Sequence, residues 1–263
     1  MKPHYFVAAT LIIVSILLQA CGAPGVKTAP TASEQFALAK KEYDKKHYLK
    51  AIDGFQKVIF NFPGVTMVDT AQYYLAMSYY ENEEYELASA EFNRLNTNYP
   101  HSDFVDDAQY MAGVCYFKNT PQNYALDQED MKRAVTAMED FITDNPDSPL
   151  ITDARNIILQ ARTKLARKEF ENGALYFKLD DYQAASIYFQ LVIDEYTDTE
   201  YASKALFKLA ESAYKQEKYL DSQAKFNSFI SLYPSDTMVP RAKEYLEKTS
   251  QKLNTANASN DTK

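Results

Sequence analysis

The sequence predicts an all-α protein, and three observations carry that prediction. Only six Gly and ten Pro occur in 263 residues, beside many Ala, Leu, Lys and Glu, a balance that favours helix. A sixteen-residue phrase, YLKAIDGFQKVIFNFP from Tyr48 to Pro63, returns as YELASAEFNRLNTNYP at Tyr85 and, more loosely, from Met131, Tyr182 and Tyr219. Inside and ahead of each phrase, apolar residues recur at intervals of three and four, the spacing of one helical face. With 46% apolar and 24% charged residues the chain can bury a core; 21 Tyr, 15 Phe and no Trp give much of that packing to aromatic rings.

From the N-terminus, residues 1–20 form an export signal: Lys2, an apolar run from Phe6 to Leu18, then small residues. The run is shorter than the roughly 20 apolar residues of a membrane span. It ends Leu18-Gln19-Ala20-Cys21, which resembles the lipobox of bacterial lipoproteins. That resemblance implies cleavage before Cys21 and a covalent diacylglycerol and N-acyl chain on its thiol, the chain's only expected non-protein group; the other reading is an ordinary secretory signal with an incidental cysteine. Gly22 in place of Asp favours the outer membrane. Residues 21–33, rich in Gly and Pro, are expected to be a flexible linker.

Without the signal the chain keeps 27 basic against 36 acidic residues, a net charge of −9. That balance argues against a nucleic-acid partner and against a polybasic membrane face. With Cys21 lipidated, Cys115 is the one remaining thiol, so no internal disulfide can form; its apolar setting, AQYMAGVCYFK, marks a small buried hydrophobe.

Each phrase is the second helix of a pair. Three residues in stand Ala51, Ala88, Ala134, Ala185 and Ser222, small enough for close helix approach, and seven in stand Phe55, Phe92, Met138, Phe189 and Phe226. Pro63, Pro100, Pro146 and Pro234 close four of the five, with Thr197 in the fourth. The first helices carry Phe36, Tyr73, Phe170 and Phe207, then Ala39, Ala76, Gly173 and Ala210, then Tyr43, Tyr80, Phe177 and Tyr214; Tyr110, Gly113 and Phe117 serve in the third unit. Helix pairs of this size cannot bury a face alone, so five of them must stack as a solenoid. The pattern matches the tetratricopeptide repeat, departing from it in the missing early Trp and a 37-residue period. Repeats one to three are expected over residues 34–147. A long helix, repeats four and five and a capping helix (Met238–Leu253) follow over 148–253, and a disordered tail over 254–263.

Two irregularities interrupt the period: an insertion from Lys118 to Met131 inside repeat three, and a stretch from Pro149 into repeat four with no Gly or Pro before Gly173. Together with Leu18–Cys21, Asp107–Gly113 and SPLITDARNIILQARTKLARKEF from Ser148, this architecture closely resembles the BamD family of outer-membrane β-barrel assembly lipoproteins over nearly the whole chain. The resemblance implies that the first repeats receive the C-terminal targeting segment of unfolded barrel proteins. It also implies that later repeats dock on periplasmic domains of the barrel-forming subunit BamA, at the periplasmic face of the outer membrane.

Candidate contacts follow. Phe36, Tyr43, Tyr73, Tyr74 and Tyr80 are either groove anchors for such a peptide or inter-helix core; Tyr74 falls outside the recurring set, which favours it as a groove contact. Arg155, Arg162, Lys164, Arg167 and Lys168 of the long helix either meet an acidic partner or form a solvated face. No catalytic or metal residues are expected: beyond the signal only His47 and His101 occur, both at loop-like junctions, and phosphate-binding glycine loops are missing. The acidic pairs Asp106-Asp107 and Asp180-Asp181 read as helix caps. Two other function classes stay open: a different tetratricopeptide adaptor lipoprotein that coordinates envelope or peptidoglycan enzymes, and a surface lipoprotein that captures a ligand.

Overall fold

The computed structural model describes residues 29–121 and 123–260, the last five by backbone alone. The expected signal, Cys21, most of the linker and residues 261–263 lie outside the described residues. Among the described residues there are eleven helices and no strand. In order they are α1 (Ala32–Asp44), α2 (Tyr48–Asn61), α3 (Val68–Glu81), α4 (Tyr85–Asn98), α5 (Val105–Asn119), α6 (Glu129–Asp144), α7 (Ile151–Lys178), α8 (Tyr182–Glu195), α9 (Tyr201–Lys215), α10 (Tyr219–Leu232) and α11 (Val239–Asn260). Each packs on the next in sequence, which makes a solenoid of helix pairs.

The recurring small and aromatic positions build the core. Ala51, Ala88, Ala134, Ala185 and Ser222 are fully buried, and so are Phe55, Phe92, Met138, Phe189 and Phe226. Small residues on the facing helix let these side chains in. A Cβ on Gly173 would stand 2.8 Å from the Phe189 ring, and one on Gly113 would stand 2.8 Å from the Met138 methyl.

The turns inside four of the pairs share one geometry. Lys46, Glu83, Asp180 and Glu217 sit at φ 61°, 63°, 61° and 59°, the left-handed region, one residue past the helix cap. The amide of Lys46 donates to Tyr43 O and that of His47 to Glu42 O, and Glu217 and Lys218 repeat the pattern on Tyr214 O and Ala213 O. These bonds satisfy the last carbonyls of the first helix. The second helices end at residues with φ between −133° and −124° and ψ between 43° and 63°, outside the helical region that a following proline disfavours. Tyr196 keeps the same turn although Thr197 follows it.

Repeat three replaces the tight turn with residues 120–128, shorter at both ends than the Lys118–Met131 insertion read from the sequence. The 28 residues of α7 then run unbroken, about 42 Å at 1.5 Å per residue, so its C-terminal half serves as the first helix of repeat four.

Two boundaries and one capping assignment differ from those read in the sequence. α1 starts at Ala32 and not at Glu34, because Thr31 and Glu34 form a reciprocal capping box that fixes the start two residues early. The expected disordered tail is helical as far as Asn260, since nothing between Val239 and Asn260 stops α11; Pro240 sits in its first turn, where a missing N–H is harmless. Of the acidic pairs, Asp181 caps α8 by accepting from the amide of Ala184, whereas Asp106 and Asp107 lie inside the first turn of α5, favourable to its dipole but not caps.

Candidate functional site

Phe36, Tyr43, Tyr73 and Tyr74 come together across α1 and α3, all half-buried. Tyr74 is the hub: it stacks on Phe55 at 5.8 Å and meets Phe36, Tyr43 and Tyr73 edge-on at 6.2, 5.4 and 5.8 Å. Tyr73 extends the ring chain by stacking on Phe104 at 4.5 Å. Lys40 places its ammonium 5.5 Å from the Tyr43 ring and 5.0 Å from that of Tyr74. Tyr80 lies elsewhere, edge-on to Tyr85 in the cluster around Cys115. Thus four of the five candidate groove residues form one group and the fifth belongs to the next joint.

Burial, with the Glu81 charge second, pushes the Tyr43 phenol far above its ordinary value, and burial with nearby Asp107 pushes Tyr73 up to about 12. Both hydroxyls therefore stay protonated at neutral pH, available as hydrogen-bond donors beside ring faces. Such a surface suits an extended apolar or aromatic peptide.

Tyr74 lies outside the set that recurs in every first helix, its place being taken by Ala37, Met111, Glu171 and Lys208, but it has one counterpart. Its counterpart, reached by the repeat spacing, is Tyr245 in α11, which stacks on Phe226 at 5.0 Å and meets Phe207 and Tyr214 edge-on. The spacing of second helices conceals this, because α11 opens a sixth unit with no second helix among the described residues, and so no phrase marks it. A second residue missed in the sequence sits beside it. Glu211, 3% exposed, accepts from Lys208 Nζ, Arg241 Nη2 and Tyr245 Oη, each at 2.7 Å, and so fastens α11 to α9. Burial alone would raise the Glu211 carboxyl; the Lys208 and Tyr245 hydrogen bonds and the Lys208 and Arg241 charges outweigh it and hold the carboxyl below the usual glutamate value.

Four of the five candidate cations of α7 have internal partners. Arg162 grips Asp198 with Nε and Nη2 at 2.7–3.0 Å and donates to Glu195 O at 2.6 Å, a tie from α7 to the end of repeat four. Lys164 lies over Phe117 near the end of α5, while Arg167 over Tyr124 and Lys168, which donates to Leu126 O at 3.0 Å, hold the inserted segment against α7. Arg155 is exposed and makes no ion pair among the described residues. Partners 36 and 42 positions away left no trace in local sequence.

A cleft of about 610 Å³ opens far from the aromatic group, between α8 and α10 over α9. Ile187 and Leu191 give it an exposed apolar wall, and Gln190, Gln216, Lys218 and Lys225 a polar rim. Cys115 is fully buried and its thiol is pushed up to about 12 by burial, which makes it inert as a nucleophile. Among the described residues no His, Cys, Asp and Glu side chains are grouped to hold a metal ion, and no helix is long and apolar enough to cross a membrane.

Stacked helix pairs with left-handed two-helix turns and a ringed inner joint define a tetratricopeptide-repeat protein, and residues 204–236 match that repeat on their own. The chain matches the YfiO outer membrane lipoprotein family over residues 28–216, well over half its length, and belongs to that family, which is of the BamD type. A search of curated sequences finds no match. Among solved structures, the TPR2AB domain of yeast Sti1 in complex with pHSP90 is 18% identical, covering 86% of this chain and 88% of that one at a TM-score of 0.39. A thermophilic tetratricopeptide protein of Thermus thermophilus is 16% identical, covering 82% and 99% at 0.36. One from Parabacteroides merdae is 14% identical, covering 86% and 76% at 0.36.

Proposed function

We propose that the protein is a non-catalytic lipoprotein subunit of the outer-membrane β-barrel assembly machinery, anchored at the periplasmic face through acylated Cys21. Membership of the outer membrane lipoprotein family is the observation that carries this reading. In it, the half-exposed rings of Phe36, Tyr43, Tyr73 and Tyr74, with Tyr80 one joint further along, receive the C-terminal segment of an unfolded barrel protein. The ring faces and protonated hydroxyls described above are the chemistry such a segment needs.

Docking on the periplasmic domains of BamA falls to repeats four and five. The cleft walled by Ile187 and Leu191 supplies an apolar contact there, and Arg155 and Arg167 are the exposed cations of α7. Arg162, Lys164 and Lys168 act in docking through the loop and helix ends that they hold in place.

The test is affinity purification of the tagged, lipidated protein from its own membranes in mild detergent, followed by mass spectrometry. A stoichiometric outer-membrane barrel protein with tandem periplasmic domains is expected. Its absence, with the bait intact and membrane-bound, would replace this reading with a tetratricopeptide adaptor for other envelope partners. Separately, Cys21→Ser is expected to release the protein from membranes when no partner is present.

A further inference from the structure

The outer face of α2 carries large apolar residues at two positions where no other second helix has both. Leu49 is 68% exposed and Phe60 85% exposed, and eleven residues of helix bring them to the same side, three turns and about 16 Å apart. At the corresponding positions α4 carries Glu86 and Thr97, and α10 carries Leu220 and Ser231. Beside this apolar line run Lys50 and Lys57, seven residues apart and both exposed, while Asp53 between them is paired with Lys57 at 2.5 Å. Nothing in the chain's described fold covers this face.

Charge is also divided unevenly between neighbouring repeats. From Lys40 to Lys57 six lysines stand against three acidic residues, whereas from Glu81 to Arg94 five glutamates stand against one arginine. The net charge of −8 for the whole chain conceals a cationic first repeat. That repeat is also the one nearest Cys21: ten residues lie between Cys21 and Ala32, at most about 40 Å of extended chain.

We propose that α2 lies on the anionic phospholipid surface that holds the anchor, with Leu49 and Phe60 inserted at the boundary between headgroups and acyl chains and Lys50 and Lys57 on the headgroups. The proposal rests on the acylation of Cys21 in the function proposed above. A helix with large apolar residues in line and lysines on one flank is the form that binds an interface without spanning it, and the attraction of its lysines to anionic lipid is short-ranged and salt-sensitive. The consequence is orientation: the first repeat lies flat on the membrane and the later repeats project away from it.

The experiment uses the full lipidated chain in vesicles of phosphatidylethanolamine and phosphatidylglycerol. A nitrobenzoxadiazole probe is attached at Gln56→Cys, within the proposed face, or at Leu232→Cys, far along the stack; buried Cys115 is not labelled. Quenching by lipids spin-labelled near the headgroup is expected to be several-fold stronger at position 56 than at 232. It should fall to the level at 232 in the Leu49→Ser, Phe60→Ser double variant, and should weaken with Lys50→Gln, Lys57→Gln or in about 0.5 M salt, where screening is complete within a few Å. All these positions are exposed, so folding is preserved. Equal quenching at both positions in protein that floats with the vesicles would overturn the proposal and leave the anchor standing. Protein that fails to float would overturn the anchor, and this proposal with it.

Discussion

The joint between the first two repeats and the joint between the fifth repeat and α11 use the same four rings in the same arrangement, yet are held differently. Phe36, Tyr43, Phe55 and Tyr74 correspond to Phe207, Tyr214, Phe226 and Tyr245, each 171 positions later. Tyr74 stacks on Phe55 with 19° between planes and Tyr245 on Phe226 with 15°; their edge contacts are 5.4 and 6.2 Å in one joint and 5.3 and 6.2 Å in the other. The position 171 residues after Lys40 is Glu211. Lys40 sits over the rings and pairs outward with Asp44, whereas Glu211 turns inward and binds two helices together. The ring geometry therefore recurs at these two joints, and the residue beside it differs: Lys40 pairs along its own helix and leaves the rings half-buried, whereas Glu211 ties two helices together.

The largest effect should come from removing the shared ring. Phe55→Ala and Phe226→Ala each empty a fully buried site and are expected to cost about 3–5 kcal/mol in urea unfolding. Because repeats communicate with their neighbours, amide exchange should accelerate mainly in α1–α3 for the first variant and in α9–α11 for the second. One joint tolerating the change while the other collapses would show that the geometric match is not an energetic one.

The next contrast is sharper, since it removes one oxygen. Tyr245→Phe deletes a hydrogen bond to a buried carboxylate and should cost about 2 kcal/mol, read as faster exchange across α11. Tyr74→Phe should cost less than about 0.5 kcal/mol, because among the described residues the Tyr74 hydroxyl makes no hydrogen bond to protein. Equal losses would remove the distinction between open and locked joints.

Titration should separate the joints in acid and unite them in alkali. Glu211 has a lowered folded value, so its contribution is complete above the unfolded glutamate value of about 4.3 and is lost as pH falls through the folded one. Tyr245 is pushed up to about 12 by burial and then by Glu211, so its contribution is complete below about 10 and fades as pH rises toward 12. Tyr43 in the first joint is raised as well, chiefly by burial, which makes the alkaline loss common to both. Release of α11 below about pH 4 that disappears in Glu211→Gln would assign the acid arm; an unchanged acid arm in that variant would place it elsewhere.

Much of this could be read in the sequence because repeats report burial several times over. The small residues three into each phrase and the large apolar residues seven in are recognisable as core from spacing alone, and all are buried. Local chemistry that needs no repetition was legible too but went unread at Thr31-Ala32-Ser33-Glu34, whose capping box sets the first helix boundary. Tyr245 is hidden when second helices are counted, since none follows α11 among the described residues. The α7 cations were ambiguous for a different reason. Arg162 meets Asp198 and Lys168 meets Leu126 only because a 28-residue helix passes two loops, and no window of sequence contains both ends of those contacts.

The smallest expected effect concerns the turn that both joints share. Lys46 and Glu217, again 171 positions apart, hold left-handed backbone that costs a side-chain-bearing residue about 1–2 kcal/mol, while glycine enters it freely but gives up more entropy on folding. Those terms nearly offset, so Lys46→Gly and Glu217→Gly should each stabilise the chain by about 0.5 kcal/mol. The connection in repeat three has no left-handed residue among those described, so Asn123→Gly should instead destabilise, losing the side-chain contact to the Ala125 amide and adding chain entropy. If glycine were favourable in all three places, the gain would come from the unfolded chain or from loop relaxation, and the left-handed turn would not be what distinguishes repeat three from its neighbours.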